Sequence, residues 1–150
     1  MKIEKSIDIR RKGSEVFNYL KLTKNQDNFS VWNMADPGMK KESHGTDGTE
    51  GFVYTWDSAN KNVGAGEQET KAIVDEKSIE FEVRFFRPMK NTAKVHFLID
   101  KKSDNAIGVT WTFDSPSKFP FSLISPIFKK MLGKDLEKGL INLKGILEKV

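Results

Sequence analysis

The side chains to weigh first for chemistry are the two histidines, His44 and His96, because an imidazole titrates near neutral pH and ligates metals. His96 falls on the polar side of an alternating strand, and His44 lies in a polar strand or turn. The chain has no cysteine and no His-Glu-x-x-His pair. Thiolate sites, disulfides and cysteine nucleophiles are thereby excluded, and no metal centre is expected. No Gly-x-Ser-x-Gly elbow is present either. The stretch GAGEQE holds only two glycines of a dinucleotide fingerprint and follows no strand-helix unit, so no nucleotide or other cofactor is expected. Carboxylates remain. Asp36 and Asp57 adjoin aromatic clusters, and Glu67 follows the strand glycines. A buried carboxylate with a raised pKa serves as a general acid or base. We read all three instead as rim or turn residues, so no catalytic set emerges.

The aromatic residues carry a stronger signal, and it points to binding. Eleven Phe, three Trp and two Tyr are many rings for 150 residues. Trp32, Tyr54, Trp56, Phe81, Phe85 and Trp111 can all reach one concave space, and each ring buries about 150–250 Å². The alternative is ordinary core. Tyr54, Trp56 and Trp111 also carry polar tips that want partners.

These residues need elements to position them. KIEKSIDIR alternates, with Ile3, Ile7 and Ile9 on one side, which predicts a half-buried first strand. SEVFNYL places Val16, Phe17 and Leu20 on one helical face, with Ser14 as the expected N-cap. TKNQ has capping-box spacing and predicts a second short helix, left through the aromatic-rich turn FSVWNMADPG. From about residue 38 to 114, strands follow one another across turn signals. The strand IEFEVRFF turns Ile79, Phe81, Val83 and Phe85 one way and Glu80, Glu82 and Arg84 the other. TAKVHFLI and IGVTWTF alternate likewise. Short connections imply an antiparallel meander, wet on one face, where Glu80, Glu82, Lys94 and His96 can pair. Two early glycines in VGAGEQETKAIV signal a bulge or a bend.

A closing helix is predicted from Ser125-Pro126 to Val150, roughly 37 Å long. It outruns the strands and is expected to lie across the sheet. With Phe128 at the origin, Leu132, Leu136, Leu140, Leu143, Ile146, Leu147 and Val150 form one apolar stripe. Gly139 lies inside that stripe, so either the backbone closes on the sheet there or space is left. Met131, Asp135 and Asn142 flank the stripe, lining a mouth or marking its polar boundary. FPFSLISPIF, residues 119–128, is an apolar stretch that caps a cavity, touches a partner or fills one end of the core.

Composition narrows the partners. The net charge is +4, from 25 basic and 21 acidic residues, and the two signs are interleaved. That describes solvated faces rather than a nucleic-acid footprint. No stretch reaches the ~18–20 apolar residues of a membrane span, and MKIEKSIDIRRKG is not a signal peptide. The expectation is a single domain over residues 1–150, cytoplasmic, monomeric or weakly dimeric, with no nucleic-acid or integral-membrane partner.

The order of one strand, two short helices, a six-strand meander and a long final helix resembles the START/Bet v 1-like (SRPBCC) superfamily. The matching stretches are GFVYTWDSANKNVGAGEQETKAIV, IEFEVRFFRP, GVTWTF and KKMLGKDLEKGLINLKGILE. The likeness is greatest to the bacterial polyketide cyclase/dehydrase-like branch. It implies an α+β helix-grip fold, with a curved seven-stranded antiparallel sheet around the C-terminal helix and an elongated apolar cavity between them. Members bind lipids, sterols, polyketides or hormones, and a minority are cyclases or dehydratases. EQET departs from the apolar pattern of relatives and turns Gln68 and Thr70 inward, which suggests a cavity with some hydrogen-bonding groups. The expected function is binding of a small, mostly hydrophobic ligand (lipid-, polyketide- or aromatic-like). Its expected lining is Trp32, Tyr54, Trp56, Gln68, Thr70, Phe81, Phe85, Trp111, Phe128, Met131, Asp135 and Gly139. A cyclase or dehydratase in the same cavity, or a protein-interaction or stress adaptor, are the alternatives.

Overall fold

A computed structural model describes residues 2–115 and 126–149, with side chains in the last helix described from Lys129 onward. Strand β1 (Lys2–Ile9) leads into α1 (Gly13–Leu20), a 3-10 helix (Thr23–Asn28) and the single turn α2 (Val31–Met34). Six strands follow: β2 (Lys40–His44), β3 (Val53–Asp57), β4 (Ala65–Val74), β5 (Ser78–Arg87), β6 (Asn91–Ser103) and β7 (Ala106–Asp114). Helix α3 (Pro126–Glu148) closes the chain. The seven strands form one antiparallel sheet in the order β1-β7-β6-β5-β4-β3-β2. This is the expected α+β architecture.

Period-two alternation sets the faces of the sheet. Ile79, Phe81 and Val83 of β5, Ala93, Val95 and Phe97 of β6, and Ile107, Val109, Trp111 and Phe113 of β7 are all buried on the inner face. The outer face is ionic. His96 Nε2 lies 3.0 Å from Glu80. Lys94 stands opposite Glu82, yet Glu82 pairs with Arg84 instead. The same guanidinium binds Glu67 at 2.7 Å and Glu69 at 2.9 Å. The β4 bulge falls at Ala65/Gly66, where the glycines announced it, with a second shift between Thr70 and Ala72.

Two local expectations change. Lys12, not Ser14, stands at the N-cap of α1, and no side chain caps it. TKNQ forms a 3-10 helix rather than an α-helix, and Thr23 lies inside it. Its first amides are capped from afar, because Asp47 accepts from the backbone N–H of Thr23 at 2.7 Å and of Lys24 at 3.1 Å. The Thr23 hydroxyl turns inward to Thr70, 3.3 Å away.

Helix α3 buries the expected stripe: Leu132, Leu136, Leu140, Leu143 and Leu147 are all core residues. Each such side chain stabilises the fold by about 1.5–3 kcal/mol. Phe128 and Val150, assigned to the same stripe, lie outside the described side chains, as does all of FPFSLISPIF. The helix backbone comes nearest to β1, an edge strand, while its leucines join one core with the inner residues of β5, β6 and β7. Large rings hold it off the centre. Trp111, Phe97 and Phe29 fill that space, with ring centroids 5.0 Å apart for Phe97–Trp111 and 5.7 Å for Phe29–Trp111.

Gly139 is where the helix meets those rings. A Cβ there would stand 2.7 Å from Trp111 Cζ3 and 3.4 Å from the Phe29 carbonyl oxygen. The missing side chain therefore admits the Trp111 ring and leaves no volume of its own. Gly133 has a different neighbour. Lys5 shares the inner face with Ile3, Ile7 and Ile9, opposite Trp111, and its stem crosses the helix at Gly133, where a Cβ would lie 3.2 Å from Lys5 Cε. Nothing lies within 4 Å of the Cβ position at Gly145.

Candidate functional site

Away from β1, the inner face of β3, β4 and β5 carries the aromatic and polar side chains that are only partly buried. Two cross-strand rows define it. In one, Trp56 stands opposite Gly66, which stands opposite Phe85; in the next, Tyr54, Gln68 and Val83 are aligned. Gly66 makes the first row possible. A Cβ at that position would come within 2.6 Å of Trp56 Cη2, so the indole lies directly over the strand. Trp56 meets Phe85 edge to face at 5.9 Å, and its Nε1–H donates to the Val63 carbonyl at 3.4 Å.

The α2 turn packs over β7 and against α3. Trp32 contacts Trp111 at 6.0 Å and Phe113 at 6.1 Å, edge to face in both cases. Its Nε1–H donates to Asp135 Oδ2 at 3.1 Å, which ties the single turn α2 to the long helix. Asn142, about two turns along, donates to the Phe29 carbonyl at 3.1 Å. The polar residues flanking the leucine stripe thus hold the α2 segment.

The expected lining residues divide accordingly. Trp32, Tyr54, Trp56, Gln68 and Phe85 are partly buried and face inward, and Asp135 anchors Trp32. Thr70 is fully buried beside Thr23, and Phe81, Trp111 and Gly139 belong to the packed centre. Met131 is exposed on the outside of α3. Phe128 lies outside the described side chains.

One polar centre escapes local reading. Asp27 accepts the Tyr54 hydroxyl at 2.6 Å, Lys41 Nζ at 2.9 Å and Asn33 Nδ2 at 3.0 Å. Its partners come from three separate elements, so no spacing in the sequence announces it. Burial first, and then the hydrogen bond to Asp27, push the Tyr54 phenol above its ordinary value. Four polar atoms are buried with no hydrogen-bond partner among the described residues: Gln68 Nε2, Trp111 Nε1, Gln26 Nε2 and Ser30 Oγ. An unmet buried donor costs about 1–3 kcal/mol.

The other chemical candidates point elsewhere. Asp36 accepts from Ser58 at 2.5 Å and from the Gly38 amide. Asp57 pairs with Arg87 on the surface, and Glu67 belongs to the outer Arg84 network. His44 is exposed. Among the described residues, no group of three His, Asp or Glu side chains is placed to hold a metal ion, and no helix is long and apolar enough to cross a membrane.

No family model and no curated protein matches this chain. Solved structures do. A START superfamily protein from Mycobacterium smegmatis superimposes with a TM-score of 0.64 at 13% identity, over 99% of this chain and 97% of its own. The major latex-like protein 151 of Panax ginseng gives 0.65 at 18% identity, over 97% and 95%. DynU16, a protein of the dynemicin biosynthetic locus, gives 0.67 at 12% identity over 98% of this chain, which spans 47% of DynU16's length. At these identities the likeness is one of fold, and the fold is START/Bet v 1-like.

Proposed function

We propose that this START/Bet v 1-like chain binds a small, mostly hydrophobic molecule between the inner face of β3–β5 and the α2–α3 side. One observation carries the reading. Trp56, Phe85, Tyr54 and Gln68 face inward yet remain only partly buried, and the Gln68 amide nitrogen is buried without a partner among the described residues. Rings cover a ligand through apolar area, at about 25 cal/mol per Å². Gln68 then supplies the one directional contact that orients an otherwise greasy molecule. A lipid-, polyketide- or aromatic-like compound bearing a carbonyl or ether oxygen matches that pattern.

Native mass spectrometry of protein purified from its own host tests this, together with titration by 1-anilinonaphthalene-8-sulfonate. The expected result is a co-purifying small molecule, or saturable dye binding that quenches tryptophan emission. Gln68→Leu is expected to keep the fold and the dye but to weaken ligands with a hydrogen-bond acceptor by about tenfold, the effect of one lost buried hydrogen bond. Dye binding that Trp56→Ala and Phe85→Ala leave unchanged in folded protein would place the ligand elsewhere and overturn the proposal.

A further inference from the structure

A second concavity lies at the opposite edge of the sheet, where the N-terminal half of β1 meets the early turns of α3. It is an open groove of about 560 Å³, within the ~300–1,000 Å³ range of small-molecule sites. Five lysines line it: Lys2, Lys5, Lys129, Lys130 and Lys134. Only Glu4 and Glu137 oppose them. The groove thus holds a surplus of +3, against +4 for the whole chain. Positive charge that looks evenly mixed along the sequence is gathered by the fold into one place. The two glutamates are partly engaged, Glu4 with Lys2 at 3.2 Å and Glu137 with Lys5 at 3.8 Å. Lys129, Lys130 and Lys134 have no ion pair among the described residues. Lys130 and Lys134 stand one helical turn apart, a like-charge spacing that costs an isolated helix a few tenths of a kcal/mol.

We propose that this groove binds a small molecule carrying a diphosphate or two phosphate groups. Charge sets the stoichiometry. Each phosphate carries about −1.5 to −2 at neutral pH, so two of them balance a +3 site, whereas one leaves it half neutralised. Residue type fits the chemistry. Lysine ammoniums are compact point charges that bind phosphate oxygens, and five of them line the groove. Shape sets the size. Ile3 and the bare backbone at Gly133 form an apolar floor. The absent side chain at Gly133 lets the Lys5 stem pass beneath α3 and bring its amine from the sheet to the same space as the helix lysines. The concavity accommodates a compact anion with an organic remainder better than it does a flat surface.

The test is a titration of the isotope-labelled full chain with inorganic pyrophosphate, followed by amide NMR shifts. Saturable shifts are expected at Gly133 and Lys5, with pyrophosphate at least ~10-fold tighter than orthophosphate in about 0.1 M salt. K130E/K134E is expected to lose binding by more than ~10-fold. K101E/K102E, on the β6–β7 hairpin, makes the same change in net charge and is expected to stay within about twofold of the parent. Lys134→Gln, which reverses no charge, provides an intermediate loss. Phosphatidylcholine vesicles carrying about 5 mol % of a phosphatidylinositol bisphosphate identify the source of the anion. Vesicle binding that is lost in K130E/K134E and displaced by pyrophosphate assigns the site to a lipid headgroup; pyrophosphate binding without vesicle binding assigns it to a soluble molecule. No saturable shift, an equal loss in K101E/K102E, or vesicle binding that pyrophosphate does not displace would each overturn the proposal.

Discussion

Three glycines in one helix make three different predictions for the same substitution. In an unobstructed helix interior, Gly→Ala stabilises by about 0.5–1 kcal/mol, through lost unfolded-state freedom and better helix propensity. Gly145 is that case, since nothing lies within 4 Å of its Cβ position. Gly145→Ala should raise stability by the full increment, or about 2–4 °C per kcal/mol in a chain of this size. At Gly139 the new methyl would meet Trp111 Cζ3 at 2.7 Å. The ring cannot retreat easily, because it is wedged against Phe97, Phe29 and Trp32. Overpacking a core by one methyl costs about 1–3 kcal/mol. Set against the propensity gain, the net is a loss of about 0–2 kcal/mol, so Gly139→Ala and Gly145→Ala should differ by about 1–3 kcal/mol. Gly133→Ala falls between them: its neighbour at 3.2 Å is the end of the flexible Lys5 stem, which swings aside. Urea unfolding followed by far-ultraviolet circular dichroism measures all three without relying on Trp111 emission, and an unchanged m-value shows that the denatured state is not what changed. If Gly139→Ala proves as stable as Gly145→Ala, the close approach of helix and indole is refuted, and with it the account of how α3 is seated.

Replacing Arg84 with Met leaves Glu67, Glu69 and Glu82 facing one another on the outer sheet and should cost about 1–2 kcal/mol at neutral pH, less than a fully buried network because all four groups are partly solvated. The hydrogen bond from Arg84 holds Glu69 below the ordinary carboxylate value of 4.5, so the parent's advantage is present above that value and fades as pH falls below it, which urea melts across the acid range will show. Glu148 is held at about 2, first by its hydrogen bond from Lys144 and then by the Arg10 amide; the stability it contributes is complete above pH 4.5, declines towards pH 2, and is absent from the acid limb of Glu148→Gln. Tyr54, raised above its ordinary value of 10.0, contributes stability that is present below that pH and lost as pH rises through its folded value. Tyr54→Phe should remove the late phase of phenolate absorbance in an alkaline titration, and an unchanged titration curve would contradict the Asp27 contact.

Elements that depend on nearest neighbours in the chain were readable, and those that depend on distant ones were not. Strict alternation in IEFEVRFF and IGVTWTF fixed both faces of β5 and β7, and the leucine spacing of α3 fixed its buried stripe. The inward turn of Gln68 and Thr70 followed from the same register. The TKNQ segment misled because its cap is a carboxylate more than twenty residues away, at Asp47. Lys5 is hard to read from the sequence because a charged residue on an inner face looks like an interruption, whereas its long stem carries the amine back out to solvent. Asp27 joins three elements that meet only in the folded chain. The lysine groove was invisible for the same reason: its residues come from opposite ends of the sequence, and along the chain each stands beside an ordinary mixture of charges.

The pairing of β1 with β7 has a consequence for how the molecule comes into being. Lys2 finds its sheet partner at Asp114, more than a hundred positions downstream. During synthesis at about 5–20 residues per second, the opening strand therefore waits roughly 5–20 s for its neighbour in the ladder to emerge. Over that interval Ile3, Ile7 and Ile9 have no β7 to lie beside, and Lys2 and Lys5 are charges of the kind that discourage an unpaired strand from adding to another chain.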